Sequence, residues 1–116
     1  MRLSSLIYKG ARMTGPHHGT LFDFKMTGTG EKRIVGACAL GCAIIADSNL
    51  FDADALDELV DPVSELFSKC GLSAEIIVIH PVNGELRYLD AVIYDLNDCR
   101  AWSREKIAVW LRSKGY

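Results

Sequence analysis

The chain has 116 residues, of which 49% are hydrophobic and 24% are charged, and its formal net charge is −2. These values are typical of one folded domain over residues 1–116, and they exclude a disordered chain. No apolar run approaches the roughly 18 residues of a membrane span, and the first residues lack the apolar core of a secretory signal, so we expect a cytoplasmic protein.

The first half of the chain predicts two helices and one extended segment. Apolar residues at helical spacing predict a short amphipathic helix over residues 2–13, which the glycines and proline of residues 14–19 end. Alternation over residues 21–26 predicts a short strand or an extended arm. After a polar loop at 27–33, the apolar, alanine-rich run 34–46 predicts a buried helix that its neighbours approach closely.

The middle of the chain predicts two helical pieces with recognisable ends. Asp52 or Asp54 is expected to begin the first, which runs to about Val60. Asp61 is followed by proline, a favourable pair for the N-cap and first turn of the second piece. Gly71 is expected to end that piece.

The last part of the chain predicts one strand and two helices. The β-branched run 76–79 is the best strand candidate, and residues 83–84 form a turn. Residues 86–98 have helical periodicity, and Ser103 is expected to cap the last helix. We therefore predict a mainly α (α+β) class: a small, single-domain helical fold with one or two short strands and a C-terminal helical hairpin.

Charge and cysteine usage bear on the kind of partner. Residues 1–46 hold six Lys or Arg against two acids, residues 47–70 hold seven acids against Lys69, and the remainder balances. This distribution favours neighbouring segments that partly neutralise each other, or a solvated face for each segment, over a dominant basic face. Cysteines are expected to be reduced, because no secretory signal precedes them. They are Cys38, Cys42, Cys70 and Cys99.

The most distinctive motifs lie in the C-terminal third. They are Leu96-Asn97-Asp98, Trp102-Ser103-Arg104-Glu105 and an Ile-Ala-x-Trp-Leu helix at 107–111, with Cys38-Ala39-Leu40-Gly41 upstream. In these segments the chain resembles a group of small uncharacterised bacterial and phage proteins. The resemblance implies a fold and a gene context, and it implies no established activity.

Members of that group often carry a Cys-Pro-x-Cys-Gly knuckle and His residues around the Leu-Asn-Asp triplet, with nearly zinc-finger spacing. The matching positions here are His80, Asn83, Asp95 and Cys99. Asn is not a normal zinc ligand and Asp is a poor one. The resemblance therefore implies a degenerate zinc knuckle in which packing replaces the metal, and we expect no metal and no cofactor.

The tail motifs have a structural interpretation. Asn97 and Asp98 are expected to bond the backbone of the turn at 99–102. Trp102 precedes the Ser103 cap and is expected to pack on Ile107 as a hydrophobic staple. The residues predicted to be structural are Asn97, Asp98, Trp102, Ser103, Ile107 and Trp110.

Two functional alternatives stay open. If the last helix met nucleic acid, its outward residues Arg104, Lys106, Arg112 and Lys114 would contact phosphate, with Glu105 and Asp98 opposing. A thiol hydrolase of papain type would use Cys38 at a helix start and His80 at a strand end, oriented by Asp90 or Asp95.

The leading hypothesis is a non-enzymatic, macromolecule-binding module of phage or mobile-element type. A protein partner is favoured, and nucleic acid is the alternative. The glycines match neither nucleotide-binding motif, so we expect no nucleotide partner. Because no apolar run is long enough for a membrane span, we expect no membrane partner.

Overall fold

The structure is a computed structural model, and it describes residues 1–49 and 60–116. Its helices are α1 (Leu3–Ala11), α2 (Ala39–Ser48), α3 (Pro62–Lys69), α4 (Leu89–Asp98) and α5 (Arg104–Ser113). Its strands are β1 (Gly15–Pro16), β2 (Phe22–Met26), β3 (Lys32–Ala37), β4 (Ile77–Ile79) and β5 (Leu86–Tyr88). The predicted mixed α+β class is confirmed. Within the described ranges, no helix is both long and apolar enough to cross a bilayer.

The first three strands form one small sheet in the order β1-β3-β2. β3 pairs in parallel with β1 and antiparallel with β2. The prediction of a helix over the whole run 34–46 was therefore wrong in its first part. Ile34 and the residues after it belong to a strand, and the helix begins only at Ala39. A continuous apolar run has no period that separates a buried strand from a buried helix.

Helix α2 is the centre of the core, and two glycines allow backbones to reach it. A Cβ at Gly10 of α1 would collide with the carbonyl of Cys42, and a Cβ at Gly41 would collide with the carbonyl of Leu21. α1 and the segment before β2 thus pack backbone to backbone against α2. These two glycines allow the close approach of neighbouring segments that the sequence predicted for this helix.

The ends of the helices follow the local signals in the sequence. Asp61 accepts a hydrogen bond from the Ser64 N–H at 3.3 Å, and Ser103 accepts one from the Lys106 N–H at 3.1 Å. Gly71 has a φ of 72° and closes α3 with the backbone bonds of a Schellman motif. The helix predicted from Asp52 or Asp54 falls on residues 50–59, outside the described residues.

The C-terminal part differs from the prediction at one point. Residues 86–98 divide into β5 and α4, and β5 pairs antiparallel with β4 across the turn that contains Gly84. Leu86 and Leu89 have helical spacing, but Leu86 is 72% exposed in a strand and Leu89 is buried at the helix start. α4 and α5 then form the expected C-terminal helical pair.

Helix α5 returns to pack along α1. The Ser4 N–H at the start of α1 donates to the Tyr116 carbonyl after α5 at 3.1 Å. At the other end, Arg104 at the start of α5 bonds Ala11 at the end of α1. The two helices are therefore antiparallel and joined at both ends.

Candidate functional site

Cys38 caps α2 from inside the core. Its Sγ accepts a hydrogen bond from the Gly41 N–H at 3.4 Å, and the residue is 1% exposed. Burial raises the pKa of this thiol above its ordinary value. Because only the thiolate is a strong nucleophile, a buried and protonated Cys38 is badly placed for the hydrolase chemistry considered above.

His80 uses both ring nitrogens in contacts with its own neighbourhood. Its Nδ1 accepts the N–H groups of Val82 and Asn83 at 3.1 and 3.3 Å, which leaves the proton on Nε2. Nε2 lies 2.6 Å from Oδ2 of Asp95 and donates to it. In the described part of the chain, no hydrogen bond connects His80 to Cys38. The structure therefore does not form the Cys38–His80 pair that the hydrolase alternative needs.

The four knuckle positions lie near one another, but hydrogen bonds occupy their side chains. Asp95 accepts from His80 and, at 3.3 Å, from Nε of Arg100. These bonds, that from His80 above all, hold the pKa of Asp95 below its ordinary value. A hydrogen bond to Asp95 raises the pKa of the Cys99 thiol. Asn83 accepts the Glu85 N–H. Over residues 1–49 and 60–116, no group of three or more His, Cys, Asp or Glu is arranged to hold a metal ion.

Asn97 is buried at 1% exposure and joins three segments. Its Oδ1 accepts the Ala39 N–H at the start of α2, at 3.1 Å. Its Nδ2 donates to the His17 carbonyl at 3.0 Å and to Oδ1 of Asp98 at 2.7 Å. Asp98 in turn accepts the Gly19 N–H at 2.9 Å.

These contacts correct the expected partners of Asn97 and Asp98. Both side chains bind the loop at 17–19, and Asn97 also binds the start of α2. The turn at 99–102 is held by backbone bonds to Asp95 and Leu96. The histidines of that loop have local roles as well. His18 Nδ1 donates to the Asn97 carbonyl at 2.7 Å, and His17 Nε2 hydrogen-bonds Thr20. The loop is thus fixed to the core through the Leu-Asn-Asp triplet.

Arg104 is buried, which corrects its expected place on an outward, phosphate-binding face. It is 6% exposed. Its Nη1 donates to Oγ1 of Thr14 and to the carbonyls of Gly15 and Ala37. Its Nη2 donates to the carbonyls of Ala11 and Thr14 at 3.1 and 2.7 Å. The guanidinium therefore ties the start of α5 to the end of α1 and to the sheet.

The other three cations of the proposed nucleic-acid face lie in three different surroundings. Lys106 lies over the Trp102 ring, with Nζ 4.1 Å from the ring centroid. Lys114 is exposed at the C-cap of α5. Arg112 lines a groove between α1 and α5. With Arg104 turned inward, the predicted set of four is not a continuous basic face.

That groove has a volume of about 610 Å³. Its apolar surface includes Tyr8, which is 50% exposed, and Val109, which is 65% exposed. The lining residues are Ser4, Ser5, Tyr8, Lys9, Arg12, Met13, Ala108, Val109 and Arg112. A pocket of this size with a few polar groups around apolar walls is typical of binding sites.

The charged residues that line the groove are all cations. They are Lys9, Arg12 and Arg112, and no Asp or Glu of the described segments lines the groove. None of these three cations takes part in an ion pair within the described ranges. Apolar walls with unpaired cations complement an acidic, amphipathic ligand.

Sequence reasoning missed the groove, although it placed Arg112 on the surface. The groove residues that α1 contributes are spaced at i and i+4, so they lie on one face of the helix and form one wall of the groove. The second wall comes from a helix about a hundred positions later in the chain, so no local pattern could indicate it.

Comparisons with models of protein families, with curated proteins and with solved structures found no match to this chain.

Proposed function

We propose that this protein is a non-enzymatic protein-binding module whose contact surface is the groove between α1 and α5. The observation that carries the proposal is the pairing of exposed Tyr8 and Val109 with the cations Lys9, Arg12 and Arg112 in one concavity. From the resemblance of its tail motifs to those of small bacterial and phage proteins, we further propose that the module is of phage or mobile-element type.

The groove favours an acidic, amphipathic helix as the partner segment. Two packed helices form a channel that suits a third helix, whose apolar residues would lie against Tyr8 and Val109. Acidic residues along its edges would meet the three cations. Such contacts raise the association rate and the specificity more than the final affinity.

A peptide-display selection against the folded protein tests this proposal. We expect the enriched peptides to be acidic and to have apolar residues at i, i+3, i+4 and i+7. Val109→Glu should abolish the enrichment, because it places a carboxylate among the apolar contacts. Met26→Glu is the matched control, since Met26 is 58% exposed on β2 and does not line the groove.

Other outcomes would overturn the proposal. Enrichment of basic peptides, no enrichment at all, or equal enrichment by the Val109→Glu protein would each contradict it. A DNA duplex that binds more tightly than the selected peptide at physiological salt would replace it with the nucleic-acid alternative. Fluorescence anisotropy with a labelled peptide and a labelled duplex compares the two directly.

A further inference from the structure

The β4–β5 hairpin has one face that the rest of the molecule partly covers and one exposed, apolar face. In this antiparallel pair, Ile77 lies opposite Tyr88 and Ile79 lies opposite Leu86. Residues two apart on a strand share a face, so these four side chains form one surface. Val78 lies on the other face and is half-buried toward the rest of the molecule, where the hairpin contacts α4.

The uncovered face is unusually apolar for a protein surface. The exposed fractions are 59% for Ile77, 61% for Ile79, 72% for Leu86 and 54% for Tyr88. Four side chains of this size and exposure leave roughly 500 Å² of accessible surface on this face.

We propose that a second copy of this chain covers this face, and that two hairpins pack face to face across a two-fold axis. In such an interface each patch must be complementary to itself, so a patch with net charge would repel its own copy. The four side chains of the face carry no charge. The hairpin's charged residues, Glu85 and Arg87, pair with each other inside the chain.

The area agrees with a reversible dimer. Two such faces would bury about 1,000 Å² in total, which is near the lower size of specific interfaces. Tyr88 supplies an aromatic ring of the kind that contributes strongly to such contacts. The groove is formed by α1 and α5, while the hairpin contacts α4, so dimerisation leaves the groove accessible and is independent of the proposed function.

Sedimentation velocity over a range of protein concentrations tests this proposal. We expect the wild-type chain to shift from monomer to dimer below about 100 µM, with no larger species. Leu86→Asp should raise the dissociation constant about tenfold or more, because each copy then brings an unpaired carboxylate into the contact. Leu86 is exposed in the single chain, so the thermal melt of this variant in dilute solution should match that of the wild type.

Matched variants separate the hairpin from the rest of the surface. Met26→Asp, which changes an exposed apolar residue on another strand, should dimerise like the wild type, and so should Val109→Glu. The proposal is overturned by a wild-type chain that stays monomeric, by a Leu86→Asp chain that dimerises equally well, or by assembly that continues beyond the dimer. Failure here leaves the peptide selection at the groove unaffected, and the reverse also holds.

Discussion

The junction between α4 and α5 and the groove between α1 and α5 both hold polar side chains, but they use them in opposite ways. At the junction, Asn97 and Arg104 are buried and bond backbone groups of distant segments. In the groove, Lys9, Arg12 and Arg112 line an open surface with no carboxylate partner in the described part of the chain. Arg104 and Arg112 lie on the same helix, so residue type alone does not distinguish the two roles.

The difference shows how a polar residue's role can be assigned. Every buried side-chain nitrogen and oxygen in the described ranges has a hydrogen-bond partner. Such groups are costly to leave unpaired, and the fold depends on them. Exposed cations with no partner contribute little to the fold and are available to another molecule. The junction should therefore respond to mutation through stability, and the groove through binding.

The largest expected effect is at Arg104. Arg104→Met removes the donors that satisfy the carbonyls of Ala11, Thr14 and Ala37, and we expect a loss of about 4 kcal/mol in the free energy of unfolding. For a domain of this size that corresponds to a melting temperature lower by about 15 °C. Arg112→Met on the same helix is the control and should melt like the wild type. Equal melting of the two variants would remove the distinction between junction and groove.

A smaller loss is expected at Asn97. Asn97→Ala leaves the Ala39 N–H and the His17 carbonyl without their partner, which should cost about 3 kcal/mol. Asn83→Ala is the matched control, since Asn83 is exposed and its side chain accepts one local N–H; its cost should be about 1 kcal/mol. Urea unfolding of both variants measures the difference. A loss of unfolding free energy at Asn83 as large as that at Asn97 would show that bonding distant segments together adds no more stability than a local hydrogen bond.

The smallest effect is at Asp95 and appears in acid. The folded pKa of Asp95 lies below its ordinary value of 3.8, chiefly because of the hydrogen bond from His80. Its contribution to stability is therefore complete above that value and is lost as the pH falls through the folded pKa. Thermal melts between pH 2 and 6 should show a shallower acid decline for Asp95→Asn than for the wild type. An identical decline would exclude Asp95 as a source of acid sensitivity.

The parts of the fold that local chemistry determines could be predicted from the sequence. The Asp61 and Ser103 caps and the Gly71 helix end each depend on residues within one turn, and all three are present. The two errors in secondary structure had different causes. Residues 34–37 continue an apolar run that fits a buried helix as well as a strand, and Leu86 has helical spacing to Leu89 although it lies in an exposed strand. In both places only pairing with another strand decides between helix and strand.

The candidate site could be predicted only in part, because it depends on contacts across the chain. Nothing near Arg104 in the sequence indicates that its partners lie between 67 and 93 positions earlier, so an outward orientation was expected. The knuckle positions were a useful guide to proximity, since His80, Asp95 and Cys99 do meet. Their spacing carried no information on whether a metal or hydrogen bonds would occupy them.

The antiparallel arrangement of α1 and α5 has a consequence for the kinetics of any encounter at the groove. Ser4 is bonded to the Tyr116 carbonyl at one end, and Arg104 is bonded to Ala11 at the other. With both ends fixed, the walls are in place before a partner arrives, and the entropy lost on ordering falls mainly on the incoming segment. The observed association rate should then rise in proportion to partner concentration, without the plateau that a prior change of shape imposes.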